Sequence, residues 1–123
     1  GIDIAKGSQL DMVIELVPWG LGRLDVQLFH SSTNHQSTTV SFDLATGELR
    51  CQDKVGLLPR NGSDVCTLRI LADRSVIEIY ADRREVMSLR TMPAEDAEGL
   101  QVAARRAPVR IKSIRAWRMT SVW

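Results

Sequence analysis

The sequence predicts an all-β fold, a sandwich or a barrel, organised as one domain over residues 1–123. Apolar and polar residues alternate along many short segments, which is the period of a half-buried strand. Gly, Pro, Asn and Asp separate these segments at short spacing, as expected for turns between strands. Convincing helical periodicity is absent. A chain of 123 residues fits one domain and can bury a core without disulfides or a metal.

About nine strands are expected from the alternation. They are residues 10–17, 24–29, 40–44, 49–51, 67–72, 75–80, 86–91, 99–104 and 108–119. In the first strand, alternate residues from Leu10 to Leu16 form one apolar face. In the last strand we expect a shift near Ser113, after which Trp117 faces the core. Residues 53–65 form the longest irregular segment, because Gly, Pro and an Asn-Gly pair interrupt it.

The stretch CTLRILADRSVIEIYADRREV, residues 66–86, raises the question of function because its strands carry several carboxylates. If Asp73 and Arg74 form a turn, an even loop of two or four residues keeps the isoleucines of both strands on the core face. The same pairing sets Glu78 opposite Arg69 on the outer face, where a charge is tolerated. The next turn, residues 82–85, needs an odd loop or a bulge to keep the apolar face continuous. These carboxylates are therefore interpreted as turn residues and surface charges, not as catalytic groups.

Charge is distributed unevenly although the net charge is only +1. Residues 1–100 carry a balance of −5, whereas residues 101–123 hold six basic residues and no acidic one. Such a strip can bind nucleic acid, but the acidic remainder would repel phosphate, so we expect the strip to lie beside an acidic neighbour instead.

No run of 18 apolar residues occurs, and no membrane partner is expected.

Side chains that commonly perform chemistry are few. Cys51 and Cys66 are the only cysteines, too few for a zinc site or a disulfide framework. They form either one bridge or two buried thiols, and their apolar strand context favours buried thiols. His30 and His35 flank a polar turn without a Ser-His-Asp pattern. We expect no cofactor, no metal and no catalytic residue in this chain.

The N-terminal residues do not indicate a compartment. The first residues, GIDIAKGSQLDM, lack the basic-then-apolar layout of a signal peptide. They also lack an initial Met, and we expect a mature or excised part of a longer chain. Secreted and cytosolic locations both stay open.

Several motifs resemble the C-terminal β-sandwich module of glycoside hydrolase family 32, which contains invertases, levanases and inulinases. Residues 68–80 are similar to the family pattern L-R-I-x-x-D-R-S-x-x-E-x-(F/Y), and TGEL at 46–49 and the ending IKSIRAWRMTSVW are also similar. The matching positions are Leu68, Arg69, Ile70, Asp73, Arg74, Ser75, Glu78 and Tyr80. The resemblance implies an antiparallel sandwich of two stacked sheets, of the concanavalin- or lectin-like jelly-roll type. The turn after Tyr80 departs from the family, because residues 82–85 lack the usual glycine.

The resemblance also implies that the chemistry lies elsewhere. In the family, the catalytic acids belong to a five-bladed propeller and are part of the sequence motifs W-x-N-D-P-N-G, R-D-P and E-C. None of these motifs occurs in this sequence. The chain is therefore expected to dock on, and stabilise, the propeller of a sucrose- or fructan-cleaving parent, and to contribute to a homodimer.

The alternative is a module that binds fructose or fructan ends. For either contact, with sugar or with another domain, the candidate residues are Trp19, Arg69, Asp73, Arg74, Glu78 and Tyr80. Trp19 lies in a Pro/Gly turn and is the candidate aromatic platform, and the charged residues could bind hydroxyl groups.

Overall fold

The computed structural model describes residues 8–31, 38–58, 64–73, 75–91 and 97–120. Within these ranges the chain forms ten strands and no helix. The strands are β1 Ser8–Leu16, β2 Arg23–Ser31, β3 Thr38–Asp43, β4 Glu48–Cys51, β5 Lys54–Leu57, β6 Cys66–Ala72, β7 Val76–Ala81, β8 Arg84–Arg90, β9 Ala97–Arg105 and β10 Ile111–Thr120. The described residues accordingly contain no helix long and apolar enough to cross a membrane.

Two five-stranded antiparallel sheets form the fold, which confirms the predicted sandwich. The front sheet has the order β10-β1-β6-β7-β8, and the back sheet has the order β5-β4-β3-β2-β9. Strands β5 and β8 lie next to each other. The opposite side of the sandwich is therefore formed by the edge strands β9 and β10, which we call the β9–β10 edge.

The core lies between the sheets and follows the predicted alternation. On β1, Leu10, Met12, Ile14 and Leu16 are all buried, while the residues between them point outward. The inward faces of β2, β3, β6 and β7 contribute the other large buried side chains, including Leu24, Leu28, Phe42, Leu68, Ile70, Ile77 and Ile79. Apolar burial of this kind is the main favourable contribution to folding.

Strand β5 lies inside the segment that was expected to be irregular. Gly56 at its centre interrupts the alternation in the sequence, but it is required in the structure. A Cβ at that position would come within 2.3 Å of the Val86 side chain on β8. The glycine thus lets the two neighbouring edge strands approach closely.

The β6–β7 hairpin has the predicted parity but a different register. Ile70 pairs with Ile79 and Ala72 with Ile77, so the loop is even and the isoleucines face the core. The pairing is displaced by two residues from the predicted one, and Arg69 lies opposite Tyr80 rather than Glu78. A displacement by two keeps every side chain on its face, which is why face alternation alone did not distinguish the two registers.

The β7–β8 hairpin contains the predicted irregularity as a bulge in its paired strands. The pairing shifts between Ile79 and Tyr80, and this bulge aligns Met87 and Leu89 with the isoleucines of β7. The turn itself is formed by Asp82 and Arg83, both at positive φ (48° and 72°). Two consecutive left-handed residues are typical of the tight hairpin turn for which Asn-Gly is preferred.

The cysteines are buried and free, as the strand context predicted. Cys51 lies on the back sheet and Cys66 on the front sheet. Burial raises the pKa of Cys51 to about 11. Burial, together with the nearby Asp82 carboxylate, raises the pKa of Cys66 to about 12.

Candidate functional site

A groove crosses the outer face of the front sheet over β10, β1, β6 and β7. It consists of three depressions of about 320, 350 and 460 Å³. Neighbouring depressions have lining residues in common, namely Asp11, Val13, Arg69 and Leu71, so they form one surface. We call this surface the front groove. The other residues along it include Asp73, Glu78, Tyr80, Arg83, Trp117 and Arg118.

Arg69 and Asp11 form an ion pair at the centre of the front groove. The Nε and Nη2 groups of Arg69 donate to the two carboxylate oxygens of Asp11 at 3.0 and 2.6 Å. The hydrogen bond with Asp11 raises the pKa of Arg69. The Arg69 side chain is 51% exposed and that of Asp11 only 15%. This pair replaces the predicted one between Arg69 and Glu78.

Tyr80 and Glu78 lie beside that pair on β7. The Tyr80 hydroxyl donates to Glu78 Oε2 at 2.7 Å. This hydrogen bond raises the pKa of Tyr80, since it stabilises the protonated phenol. Tyr80 lies opposite Arg69, and Glu78 lies opposite Leu71. Both residues thus belong to the front groove, and for Glu78 this agrees with the predicted outer face.

Asp73 lies in the β6–β7 turn, at one end of the front groove. Its Oδ1 accepts hydrogen bonds from the N–H and hydroxyl of Ser75 and from the N–H of Val76, at 2.6 to 2.8 Å. Partial burial raises the Asp73 pKa, but these hydrogen bonds outweigh that effect, and the pKa lies below its ordinary value. Asp73 was correctly interpreted as a turn residue. Arg74 lies outside the described residues.

Trp117 lies on the outer face, which corrects the prediction that it is buried. It pairs with Asp11 and is 45% exposed. The register of β10 changes where Glu15 pairs with Ser113 and the next residue of β1, Leu16, pairs with Ile111. The expected shift near Ser113 is therefore present, but it turns Ile114 inward and Trp117 outward. Arg115 places its guanidinium 5.8 Å from the Trp117 ring centre, within cation–π range.

Trp19, which the sequence suggested as the aromatic platform for a sugar, does not lie beside Asp73. It follows the C-terminal end of β1, whereas Asp73 lies beside the N-terminal end of that strand, where Leu10 pairs with Ala72. The strand between these ends spans about 20 Å. The Trp19 ring packs on the β3–β4 turn, since a Cβ at Gly47 would come within 2.9 Å of it. Trp19 is therefore interpreted as a packing residue.

A charged cluster on the back sheet contrasts with the front groove. Asp25 accepts hydrogen bonds from Arg23 and Ser41 at 2.9 to 3.0 Å, and Arg105 lies at 3.6 Å. Asp25 is only 6% exposed. Its oxygens are thus occupied and covered by its own partners, an arrangement typical of a structural network. Among the described residues, no group of three or more potential metal ligands occurs.

A family model described as glycosyl hydrolases family 32, C terminal, matches residues 2–118. The chain belongs to this family. The resemblance seen in the hairpin motif is thereby confirmed. A search of curated proteins finds no match to the sequence.

Solved structures share the fold of this glycosyl hydrolase family 32 C-terminal module. Exo-inulinase from Aspergillus awamori is 18% identical with a TM-score of 0.75, and the match covers 100% of this chain and 29% of that one. The carbohydrate-binding module CBM66 from Bacillus subtilis is 12% identical with a TM-score of 0.67, over 94% and 75% of the two chains. Sheep galectin-11 is 11% identical with a TM-score of 0.66, over 94% of each chain. These likenesses confirm the lectin-like sandwich fold.

Proposed function

We propose that this chain is the non-catalytic accessory sandwich of a family 32 glycosidase of the β-fructofuranosidase or levanase class, and that it docks on the catalytic propeller of the same parent chain. The family description, a C-terminal part of glycosyl hydrolases, supports this proposal. The 29% coverage of the exo-inulinase chain is consistent with it, because most of that chain lies outside the match.

The open β9–β10 edge is the observation that carries the docking proposal. Ile114 pairs with the fully buried Ile14 and points to the interior side of the sheet, yet it is 44% exposed. Ile111, opposite the buried Leu16, is 36% exposed. Side chains on the interior face of a sheet are normally covered, so this edge presents core-like apolar surface to a partner.

Charge at the β9–β10 edge indicates what kind of partner fits. The six basic residues of the C-terminal strip all lie on β9, on β10 or on the connection between them: Arg105, Arg106, Arg110, Lys112, Arg115 and Arg118. Arg105, Arg106 and Arg115 pair with acidic neighbours in the chain. Arg110 and Lys112 are exposed and have no ion-pair partner within the described residues. An acidic surface with exposed apolar groups complements this edge.

The same charge disfavours a second copy of this chain at that position. Two β10 strands brought edge to edge would place like charges close together, which opposes self-association. A homodimer through another surface stays a prediction. The catalytic domain is therefore the occupant we propose for the β9–β10 edge.

Comparison of a family propeller alone with the same propeller joined to residues 1–123 tests the docking function. We expect the joined protein to unfold at a temperature several degrees higher, because domain docking adds buried surface. Ile114→Ser with Lys112→Glu should remove most of that gain. Val55→Ser with Lys54→Glu, on the exposed β5 edge, is the matched control and should retain it. Equal stability and activity with and without the sandwich would show that the proposal is wrong.

A second candidate function is the binding of fructose or fructan ends. The front groove favours it, because aromatic and paired polar side chains line one accessible surface. The similarity in fold to a carbohydrate-binding module and to galectins supports this candidate as well. Calorimetric titration of the chain with levan, inulin and fructose tests it, and the absence of heat at millimolar ligand would exclude it.

A further inference from the structure

We propose that the front groove binds an uncharged oligosaccharide, with Trp117 and Tyr80 as the surfaces for sugar rings and the Arg69–Asp11 pair as the hydrogen-bonding centre. This inference rests on the second candidate function and assigns its site. It replaces Trp19, which the turn sequence had suggested, by an aromatic residue on another strand.

Charge balance indicates that the ligand is uncharged. On the outer face, Asp11, Asp73, Glu78 and Glu85 stand against Arg69, Arg83 and Arg90. At the β10 side, Arg115 lies 3.4 Å from Glu15, which adds one charge of each sign. A surface on which anions and cations are nearly equal in number attracts neither polyanions nor polycations strongly at long range. Short-range hydrogen bonding and stacking are then left to select the ligand.

The Arg69–Asp11 pair suits vicinal hydroxyl groups. The two hydrogen bonds to Asp11 use the Nε and Nη2 groups of Arg69, and they leave Nη1 with both of its hydrogens. Each carboxylate oxygen of Asp11 can accept a further bond. Donors and acceptors therefore stand side by side in a fixed geometry, while each sugar hydroxyl can both donate and accept. Hydrogen bonds to charged groups are stronger than bonds between neutral ones.

Apolar surface extends the site on both sides of that pair. Val13 and Leu71 lie next to Arg69 and Asp11 in the pairing of β1 with β6. Trp117 on β10 and Tyr80 on β7 lie at the two sides of this floor, three strand spacings apart. Across the strands that separation is about 14 Å, and Tyr80 lies two residues, about 7 Å, along the strand from the row of Trp117. A single sugar ring does not cover this distance, so the groove fits an oligosaccharide better than a monosaccharide.

The two aromatic residues are held in place before any ligand arrives. The Tyr80 hydroxyl is bound to Glu78, and the Arg115 guanidinium lies over the Trp117 ring. Side chains already ordered in the free protein lose less conformational entropy on binding. The groove thus presents two oriented rings and one oriented ion pair on a rigid sheet.

Calorimetric titration of the 123-residue chain with neutral oligosaccharides of three to five units tests the site. The probes are inulin-type and levan-type fructo-oligosaccharides, with cello- and galacto-oligosaccharides of equal length for comparison. We expect Trp117→Ala to raise the Kd at least about tenfold, equivalent to about 1.4 kcal/mol. Arg69→Lys should weaken binding several-fold, because lysine keeps the charge but not the two-pronged geometry.

Matched control variants lie on other surfaces of the chain. Arg50 forms an exposed ion pair with Glu48 on the back sheet, so Arg50→Lys repeats the chemistry of Arg69→Lys away from the groove. Trp19→Phe changes an aromatic residue outside it. Both controls should retain the parental Kd, and circular dichroism with thermal unfolding establishes that every variant is folded. Trp117→Phe, which keeps a ring, should retain part of the affinity if Trp117→Ala proves unstable.

Two results would overturn the inference, and they separate it from the function on which it rests. If the chain binds no neutral oligosaccharide at millimolar concentration, both the site and the second candidate function are wrong. If it binds a fructo-oligosaccharide, but Trp117→Ala and Arg69→Lys bind it as tightly as the parent, the function stands and the site is wrong. Neither result bears on docking at the β9–β10 edge.

Discussion

Replacement of Arg83 by glycine should stabilise the protein, although it removes a side chain. Arg83 occupies the second position of the β7–β8 turn at φ 72°. A left-handed conformation costs an ordinary residue about 1–2 kcal/mol, and glycine avoids that cost. Glycine in turn loses about 0.5–1 kcal/mol more entropy on folding. The expected net gain in the free energy of unfolding is therefore about 0.5–1 kcal/mol.

The conformation at Arg83 is imposed by contacts around the turn rather than by Arg83 itself. The Asp82 N–H donates to the Thr67 carbonyl, and the Thr67 N–H donates to Asp82 Oδ1, both at 2.9 Å. These bonds attach the turn to the start of β6. The substitution should thus leave the backbone conformation unchanged and relieve only its strain.

Arg84→Gly is the matched control for this prediction. Arg84 is the next residue, is exposed, begins β8 and lies outside the set of residues at positive φ. Its replacement removes the same charge and side chain but relieves no strain, so it should destabilise the protein by about 0.5–1 kcal/mol. The difference between the two variants, about 1–2 kcal/mol, measures the left-handed strain directly.

Urea unfolding followed by tryptophan fluorescence and circular dichroism gives both free energies. The slope of the free energy of unfolding against urea concentration should be the same for the parent and both variants, so that their unfolding midpoints can be compared. In thermal unfolding the two variants should differ in Tm by at least about 3 °C. If Arg83→Gly proves as destabilising as Arg84→Gly, the turn is not strained at Arg83.

Three further predictions follow from the turns and the core. Gly47→Ala should destabilise the protein by at least about 1 kcal/mol in urea unfolding, because Gly47 has φ +78° and a Cβ would meet the Trp19 ring; an unchanged midpoint would contradict the packing assigned to Trp19. The Asp73 pKa is lowered in the folded state, so its stabilising contribution is present above its ordinary pKa of 3.8 and is lost as pH falls through the lowered value. In Asp73→Asn the free energy of unfolding should therefore fall less steeply as the pH is lowered below about 4. An equally steep fall in the parent and the variant would contradict this prediction. Cys51 and Cys66 should not react with a disulfide reagent at pH 8 in the folded protein, because burial raises their pKa values to about 11 and 12, and both should react in denaturant.

Alternation along the chain was sufficient to predict most strands and the faces they present. The inward set of β1 and the even β6–β7 loop follow from the cost of placing charge in the core. Strand β5 was missed because Gly56 has no side chain to continue the pattern. The need for that glycine comes from Val86, which is 30 residues away in the chain and adjacent only in the fold.

The candidate site was only partly predictable. Arg69 and Glu78 were expected on one outer face, and they lie there together with Tyr80, which was named only as a candidate contact residue. Asp11, however, is the partner of Arg69, and nothing local in the sequence joins residues 58 positions apart. Trp117 was assigned to the wrong face because a one-residue irregularity reverses every later side chain of a strand. The irregularity was expected near Ser113, but its effect on Trp117 follows from the pairing of β10 with β1.

Properties that depend on neighbouring residues could be predicted from the sequence: the all-β class, the core faces, the turn at Asp73 and the family that the hairpin motif indicated. Properties that depend on pairing between distant strands are visible only in the fold. These are the register of β6 with β7, the ion pair of Arg69 with Asp11, and the exposure of Trp117 and Ile114. The physical reason is that side-chain alternation repeats every two residues, so it specifies which face a residue occupies but not which residue lies opposite.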